Sequence, residues 1–196
     1  MNNNLFCPGM RLIATMIRAF IAVNLTPGIR RKIGDAEKDF DMKGVKLVEP
    51  SLIHVTLKFL GNIEESKVVD IEAALHKATV KPFQAKMRSL GGFPNPRSPR
   101  VIWVGAEGDF VELNKQVEDL MDGIGFPKEG RFQPHVTIVR VKFPSPEQKE
   151  TLPALFEKYK DFDAGEMTVD SIHLMKSTLS PKGPRYDVLK EIPLAR

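Results

Sequence analysis

The chain has 196 residues, of which 42% are hydrophobic and 28% charged. That length suits one domain or two small lobes sharing a core, and the composition excludes wholesale disorder. Lys plus Arg (29) over Asp plus Glu (25) gives net +4, a mildly basic balance that permits a phosphate-bearing partner without demanding one.

The single cysteine, Cys7, excludes an internal disulfide framework and a cysteine-based zinc site. The chain reads as a reduced, cytoplasmic protein. The apolar stretch from Leu12 to Leu25 is interrupted by Thr15, Arg18 and Asn24, so it is too short and too polar for a membrane span and makes a poor signal peptide. Residues 1–15 open with an Asn run and a Pro8-Gly9 turn signal, unlike the rest of the chain. They are expected to be an N-terminal extension or an upstream-start artefact. Met16 is then the natural start, and residues 16–196 form one bilobal domain.

From Ile17 to Leu25 the apolar density predicts a buried strand. Thr26-Pro27 comes next as an N-cap with Pro in the first helical position, and Ile29, Ile33, Ala36 and Phe40 mark one helix face. Val45–Val48 is a short extended piece. Leu52–Leu60 is a second strand, expected to end at Gly61-Asn62. Val68, Ile71 and Leu75 predict a helix over about residues 64–78. Phe83 to Ser89 alternates as a strand. Residues 91–100, with three prolines and two glycines, read as a loop of fixed shape.

Val101–Gly105 is a further buried strand. Asp109 caps a helix carried by Phe110, Leu113, Val117, Leu120 and Ile124, with Gly125 just past its end. A strand runs from His135 to about Lys142. Pro153 is expected to split a helical region between Pro146 and Lys160, or to start its main part. Thr168–Ser177 and Tyr186–Leu194 are the final strands, joined by a loop at residues 180–184. The strand-turn-strand runs favour antiparallel pairing. The fold class is α+β, with antiparallel sheets around a central cleft and helices outside, not a doubly wound parallel fold.

One feature repeats. His54-Val55-Thr56-Leu57 and His135-Val136-Thr137-Ile138 are near-copies 81 positions apart, each in a predicted strand. Side chains at i and i+2 of a strand share a face. His54 therefore points with Thr56, and His135 with Thr137, while the apolar residues between them point into a core. Two such pairs facing one cleft suit acid–base displacement at phosphorus. One imidazole takes a proton from water and the other protonates the leaving oxygen. The Thr hydroxyls bind the phosphoryl oxygens as charge builds. No metal or cofactor is needed for that chemistry.

The doubled H-x-T-x motif resembles the two-histidine (2H) phosphoesterase superfamily. RAFIAVNL, HVTLKFLGN, GGFPNPRSPRVIWVG, RFQPHVTIVRV and KSTLSPKGPRYDVL are similar, in order and spacing, to its RNA 2′,3′-cyclic phosphodiesterase branch, also known as the 2′-5′ RNA ligase family. The resemblance runs from about Met16 to Leu194. It implies a bilobal fold and hydrolysis of RNA 2′,3′-cyclic phosphate ends to 2′-phosphomonoesters. It implies His54 as proton donor, His135 as proton acceptor, and Thr56 and Thr137 as phosphate ligands. Reversible 2′-5′ ligation uses the same residues with roles exchanged. The partner it implies is RNA, including tRNA-like 3′ ends, without a membrane, and nothing in the sequence suggests an obligate oligomer.

Second-rank candidates surround the motifs. Lys58 shares parity with His54 and either lines the cleft or is a solvated strand lysine. Arg140, at i+5 from His135, has the opposite parity and reaches the site only if the strand bends or bulges. Arg18 is a substrate ligand by resemblance or a surface ion-pair partner. Phe93 in its loop, and Phe20 and Trp103, either stack on a base or belong to the core. His76 reads as a surface residue and His173 as structural. The rival readings are an RNA-end binder without turnover, and a phosphodiesterase for another small cyclic or 2′-5′ linked nucleotide.

Overall fold

The structure is a computed structural model that describes residues 14–143, 145–181 and 183–195. Most of the expected N-terminal extension, residues 1–13 with Cys7, lies outside the described residues. No helix of the described residues is long and apolar enough to cross a membrane.

The strands are β1 (Met16–Asn24), β2 (Val45–Leu47), β3 (His54–Glu64), β4 (Phe83–Phe93), β5 (Val101–Glu107), β6 (His135–Val141), β7 (Asp163–Val169), β8 (Ser171–Ser180) and β9 (Gly183–Pro193). The helices are α1 (Pro27–Glu37), α2 (Lys67–Leu75), α3 (Phe110–Asp122) and α4 (Pro146–Lys158). The strands form a nine-stranded sheet in the order β7-β4-β5-β6-β3-β1-β8-β9, with β2 on β6. Every pairing is antiparallel, as the α+β reading requires.

The sheet is almost divided at its centre. β3 and β6 share a single register pair, Val55 with Val136. On either side lie two half-sheets, β3-β1-β8-β9 and β6-β5-β4-β7. α1 packs on β6 and β7, whereas α2 and α3 pack on each other and on β3. α1 and α3 thus each cover strands of the opposite half-sheet. The core sits under the helices, where Val55, Leu57, Val136 and Ile138 are buried together with Ile33, Phe110, Leu113 and Val117. Burial of these alternate side chains supplies the main driving force, roughly 1.5–3 kcal/mol for each large apolar group.

Several boundaries differ from the sequence reading, each for a local reason. β3 continues through Gly61-Asn62 to Glu64, because Gly61 takes φ +72 and the ladder with β1 shifts there instead of ending. β4 includes Gly91-Gly92-Phe93. Gly91 lies opposite Trp103, and an added Cβ would fall 2.1 Å from the indole, so the glycine makes room for a large neighbour within a strand. The expected strand Thr168–Ser177 is two strands. Thr168 and Val169 end β7 on β4, and after Asp170 the chain crosses to pair with β1.

α4 runs unbroken through Pro153. Its start is anchored by a Ser145/Gln148 capping box and by Pro146 in the first turn, and Leu152 is buried beside the proline. These contacts offset the backbone hydrogen bond that Pro153 cannot make. The β8–β9 ladder runs into the expected loop at residues 180–184, where Ser180 pairs with Gly183.

Glu37 in α1 is only 4% exposed, and one of its carboxylate oxygens has no hydrogen-bond partner among the described residues. Burial pushes its carboxyl up to about 8, with Lys38 opposing and the charge of Glu49 adding to the rise. The folded protein therefore holds this proton after the unfolded chain has released it. Its contribution to stability is fully present below about pH 4.5 and is lost as pH rises to about 8. Glu37→Gln is expected to stabilise the protein by about 1–3 kcal/mol at pH 8 and to leave it nearly unchanged at pH 4. Urea unfolding at both pH values checks this.

Candidate active site

His54 opens β3 and His135 opens β6, and each is followed at i+2 by its threonine. The Val55–Val136 pair puts the two motifs side by side and antiparallel. His54 is then level with Thr137, and Thr56 with His135. All four side chains line one cleft of about 1050 Å³ on the face of the sheet opposite the buried valines. The site has an approximate two-fold relation centred on that valine pair.

The two imidazoles are held alike. His54 Nδ1 donates to the Leu52 carbonyl at 2.7 Å, and His135 Nδ1 donates to the Gln133 carbonyl at 2.7 Å. A carbonyl oxygen only accepts, so Nδ1 carries the hydrogen in both rings and Nε2 is left for the cleft. Burial lowers the His54 pKa to about 4, against the bond to Leu52, with the positive charges of Arg30, Arg140 and His135 adding to the fall. His135 is lowered as well, by burial first and by Arg140, with the bond to Gln133 opposing. Burial thus favours the neutral form of both rings.

Each motif strand is irregular at its fourth residue. Against β1, Thr56 pairs with Ala22 but Lys58 pairs with Ile21. Against β5, Thr137 pairs with Trp103 but Val139 pairs with Ile102. Leu57 and Ile138 are thus extra residues, and beyond them the facing alternation reverses. The bulge carbonyls are satisfied from outside those ladders. Asn114 Nδ2 of α3 donates to the Leu57 carbonyl at 2.8 Å, and the Val48 amide donates to the Ile138 carbonyl at 2.8 Å.

The reversal decides the second-rank candidates. Arg140 needed a bulge to reach the cleft; the bulge is present, and Arg140 lines the cleft. Lys58 does not. It is 1% exposed, bonded to Glu118 Oε2 at 2.6 Å and to the Pro127 carbonyl at 2.9 Å. The parity shared with His54 ends at Leu57, so Lys58 turns towards α3 and is neither a phosphate ligand nor a solvated lysine. Phe59 takes the cleft position in its place and is 57% exposed.

Arg18 and Phe93 both line the cleft. Phe93 stands edge-on to His135, with ring centroids 5.0 Å apart, and Trp103 lies 5.3 Å from Phe93. On the other side Phe20 is 4.9 Å from His54, and Tyr186 is 5.4 Å from it in a T-shaped contact. Phe59 and Tyr186 escaped the sequence reading. Phe59 occupies in the first motif the i+5 place that Arg140 occupies in the second, so aligning the repeats would have flagged it. Tyr186 sits in β9, within the KSTLSPKGPRYDVL segment of the resemblance but outside both H-x-T-x strands.

The sequence matches the family described as LigT like Phosphoesterase over residues 23–103 and again over 105–186, one match around each motif. The chain belongs to this family. It is 41% identical to the RNA 2′,3′-cyclic phosphodiesterase of Methanocaldococcus jannaschii, over 89% of this chain and 99% of that one. It is 38% identical to the protein of the same name from Archaeoglobus fulgidus, over 89% and 98%. Among solved structures, TT0787 of Thermus thermophilus superposes with a TM-score of 0.76 at 31% identity, covering 91% of this chain and 98% of that one. The α+β two-histidine phosphoesterase fold expected from the resemblance is thus confirmed, and the chain is a phosphodiesterase hydrolase.

The electrostatics of the site give two expected outcomes. Removing Lys58 leaves the buried Glu118 carboxylate uncompensated. Lys58→Ala is expected to cost about 3–5 kcal/mol of stability in urea unfolding, and the pair Lys58→Met/Glu118→Leu to recover most of it. An anion in the cleft favours the charged imidazoles. In NMR titrations, inorganic phosphate is expected to raise the His54 midpoint from about 4 by ~1 unit or more.

Proposed function

We propose that this LigT-like phosphoesterase hydrolyses RNA 2′,3′-cyclic phosphate ends to 2′-phosphomonoesters by metal-independent acid–base catalysis. The observation that carries the reading is the pair of imidazoles in one cleft, each with Nδ1 fixed on a carbonyl and Nε2 free. The names of the relatives, RNA 2′,3′-cyclic phosphodiesterases, support RNA as the substrate class.

The phosphodiester anion lies between the two rings. Its charge raises their pKa values from the depressed values of the empty cleft and brings His54 into its protonated form. A water oxygen attacks phosphorus in line with the P–O3′ bond and gives its proton to His135 Nε2. The P–O3′ bond breaks as His54 Nε2 protonates O3′. The phosphate stays on O2′. The proton held by His135 then returns to His54 through solvent. Thr56 and Thr137 donate hydrogen bonds to the non-bridging oxygens, and Arg140 neutralises the charge that grows there. Arg18 and Phe93 hold the RNA at the cleft wall.

The same steps in the forward direction, with an RNA 5′-hydroxyl in place of water, join ends through a 2′-5′ linkage, and their reverse, with the two histidines exchanging roles, cleaves it. The working unit is residues 16–196, acting as a monomer in the cytoplasm on RNA ends such as those of tRNA.

The first test is incubation with a short oligoribonucleotide ending in a 2′,3′-cyclic phosphate, with EDTA present. A 2′-phosphate product is expected. His54→Ala and His135→Ala should each lower turnover by on the order of 10²-fold while still folding. Rescue by added divalent metal would overturn the metal-independent mechanism, and silence under both conditions would favour another nucleotide or binding alone. The pH dependence has a definite sign. Loss of the acid's proton lowers the rate as pH rises, and protonation of the base lowers it as pH falls. Both free-enzyme values lie below 6.5, so both limbs of the kcat/KM bell should fall on the acid side of pH 6.5, with the kcat bell shifted upwards.

A further inference from the structure

The carbonyl that holds the His54 ring comes from a very short element. Leu52 ends a single 3₁₀ turn, Pro50–Leu52, which joins β2 to β3. The last carbonyls of such a turn have no partners inside it. The carbonyls of Glu49 and Pro50 accept from the turn's own amides, Leu52 at 2.8 Å and Ile53 at 3.4 Å. The next two accept from side chains outside it. Arg30 Nη1 donates to the Ser51 carbonyl at 2.9 Å, and His54 Nδ1 donates to the Leu52 carbonyl at 2.7 Å.

Helix α1 meets this turn at two points, one helical turn apart. Arg30 bonds the Ser51 carbonyl, and Gly34 lies against Pro50, where an added Cβ would fall 2.6 Å from Pro50 Cγ. The same guanidinium donates through Nη2 to Asn24 Oδ1 at 3.3 Å. Asn24 ends β1 as the register partner of His54. One planar fork therefore ties the turn that precedes His54 to the strand end beside it.

This placement of Arg30 gains little stability. The side chain is half-buried, and Nε is buried with no hydrogen-bond partner among the described residues. Its bonds go to two neutral oxygens instead of a carboxylate, and burying a cation on such terms costs free energy. The second motif has no equivalent clamp. The Gln133 carbonyl bonds His135, but no other side chain of the described residues bonds to the segment Phe132–Pro134. The two imidazoles are held alike by their carbonyls, and only the first of those carbonyls is fixed from behind.

We propose that Arg30 is a positioning residue for His54. Through the Ser51 carbonyl it fixes the turn that presents the Leu52 carbonyl, and with it the orientation and tautomer of the ring. The kinetic consequence rests on the phosphodiesterase reading above, whereas the ring orientation does not.

The test compares the wild-type protein with Arg30→Gln and Arg30→Lys. Lysine keeps the positive charge but lacks the planar fork that spans both oxygens. Ring 15N shifts at pH 8, without substrate, report which nitrogen of each histidine carries the hydrogen. In the wild type both rings should carry it on Nδ1. In both variants the His54 signals should move towards a mixture of tautomers, while the His135 signals stay in place and report an intact fold. With adenosine 2′,3′-cyclic phosphate, both variants should lose kcat on the order of 10-fold with KM little changed, within the loss that a misplaced reacting group causes.

An unmoved His54 tautomer would overturn the proposal, as would an equal shift at His135. Wild-type behaviour of Arg30→Lys beside losses in Arg30→Gln would make charge the cause instead of geometry, and would overturn it too. So would loss of the fold in both variants, which would make Arg30 purely structural. If the His54 tautomer shifts in the variants but the wild-type protein does not turn over the cyclic phosphate, the phosphodiesterase reading falls and the positioning of His54 stands.

Discussion

The site depends on one backbone contact, the register pair between Val55 and Val136 where the two half-sheets meet. Both valines are fully buried, so the core beneath holds the junction closed. Because the strands run antiparallel, that single pair sets each histidine level with the threonine of the opposite motif. A slip of one residue would turn either motif over and send its histidine into the core. The apolar residues at alternate positions resist this slip, since it would expose them to water.

A second constraint acts on the same strands. Each bulge leaves a carbonyl outside its ladder, and each carbonyl finds a donor elsewhere, Asn114 in one half and the Val48 amide in the other. Buried polar groups of this kind cost free energy unless they are bonded, so the bulges are stable only with those partners in place. Lys58 belongs to this arrangement. The reversal at Leu57 turns it away from the cleft towards Glu118, and its charge is matched within the protein instead of by a ligand. The halves of the molecule therefore solve the same backbone problem with different side chains.

The approximate symmetry has a chemical consequence. Burial lowers the pKa of both imidazoles, and in the proposed mechanism the charge of the bound phosphodiester opposes that shift. In that mechanism, protonation of His54 is linked to occupancy by the charge of the substrate. The two Nδ1 bonds to carbonyls fix the ring orientation in advance, which spares the reorganisation that a mobile histidine would need.

The sequence by itself determined the repeated His-x-Thr strands, the α+β class with antiparallel pairing, and the four residues that meet in the cleft. These are local properties: alternation at period two places His54 with Thr56 and His135 with Thr137 wherever the strands lie. Arg140 was legible only as a condition, because its place depends on a bulge. Lys58 and Tyr186 were decided by the tertiary structure, and Phe59 was legible only through its place equivalent to Arg140 in the aligned repeats. A bulge changes which face a residue occupies without changing its composition or spacing, and it forms only when partners distant in the chain, such as Asn114 against Leu57, satisfy the displaced carbonyl. The separation of β7 from β8 has the same origin. Thr168 and Ser171 lie three residues apart, and only the edges offered by β4 and β1 send them to opposite halves of the sheet.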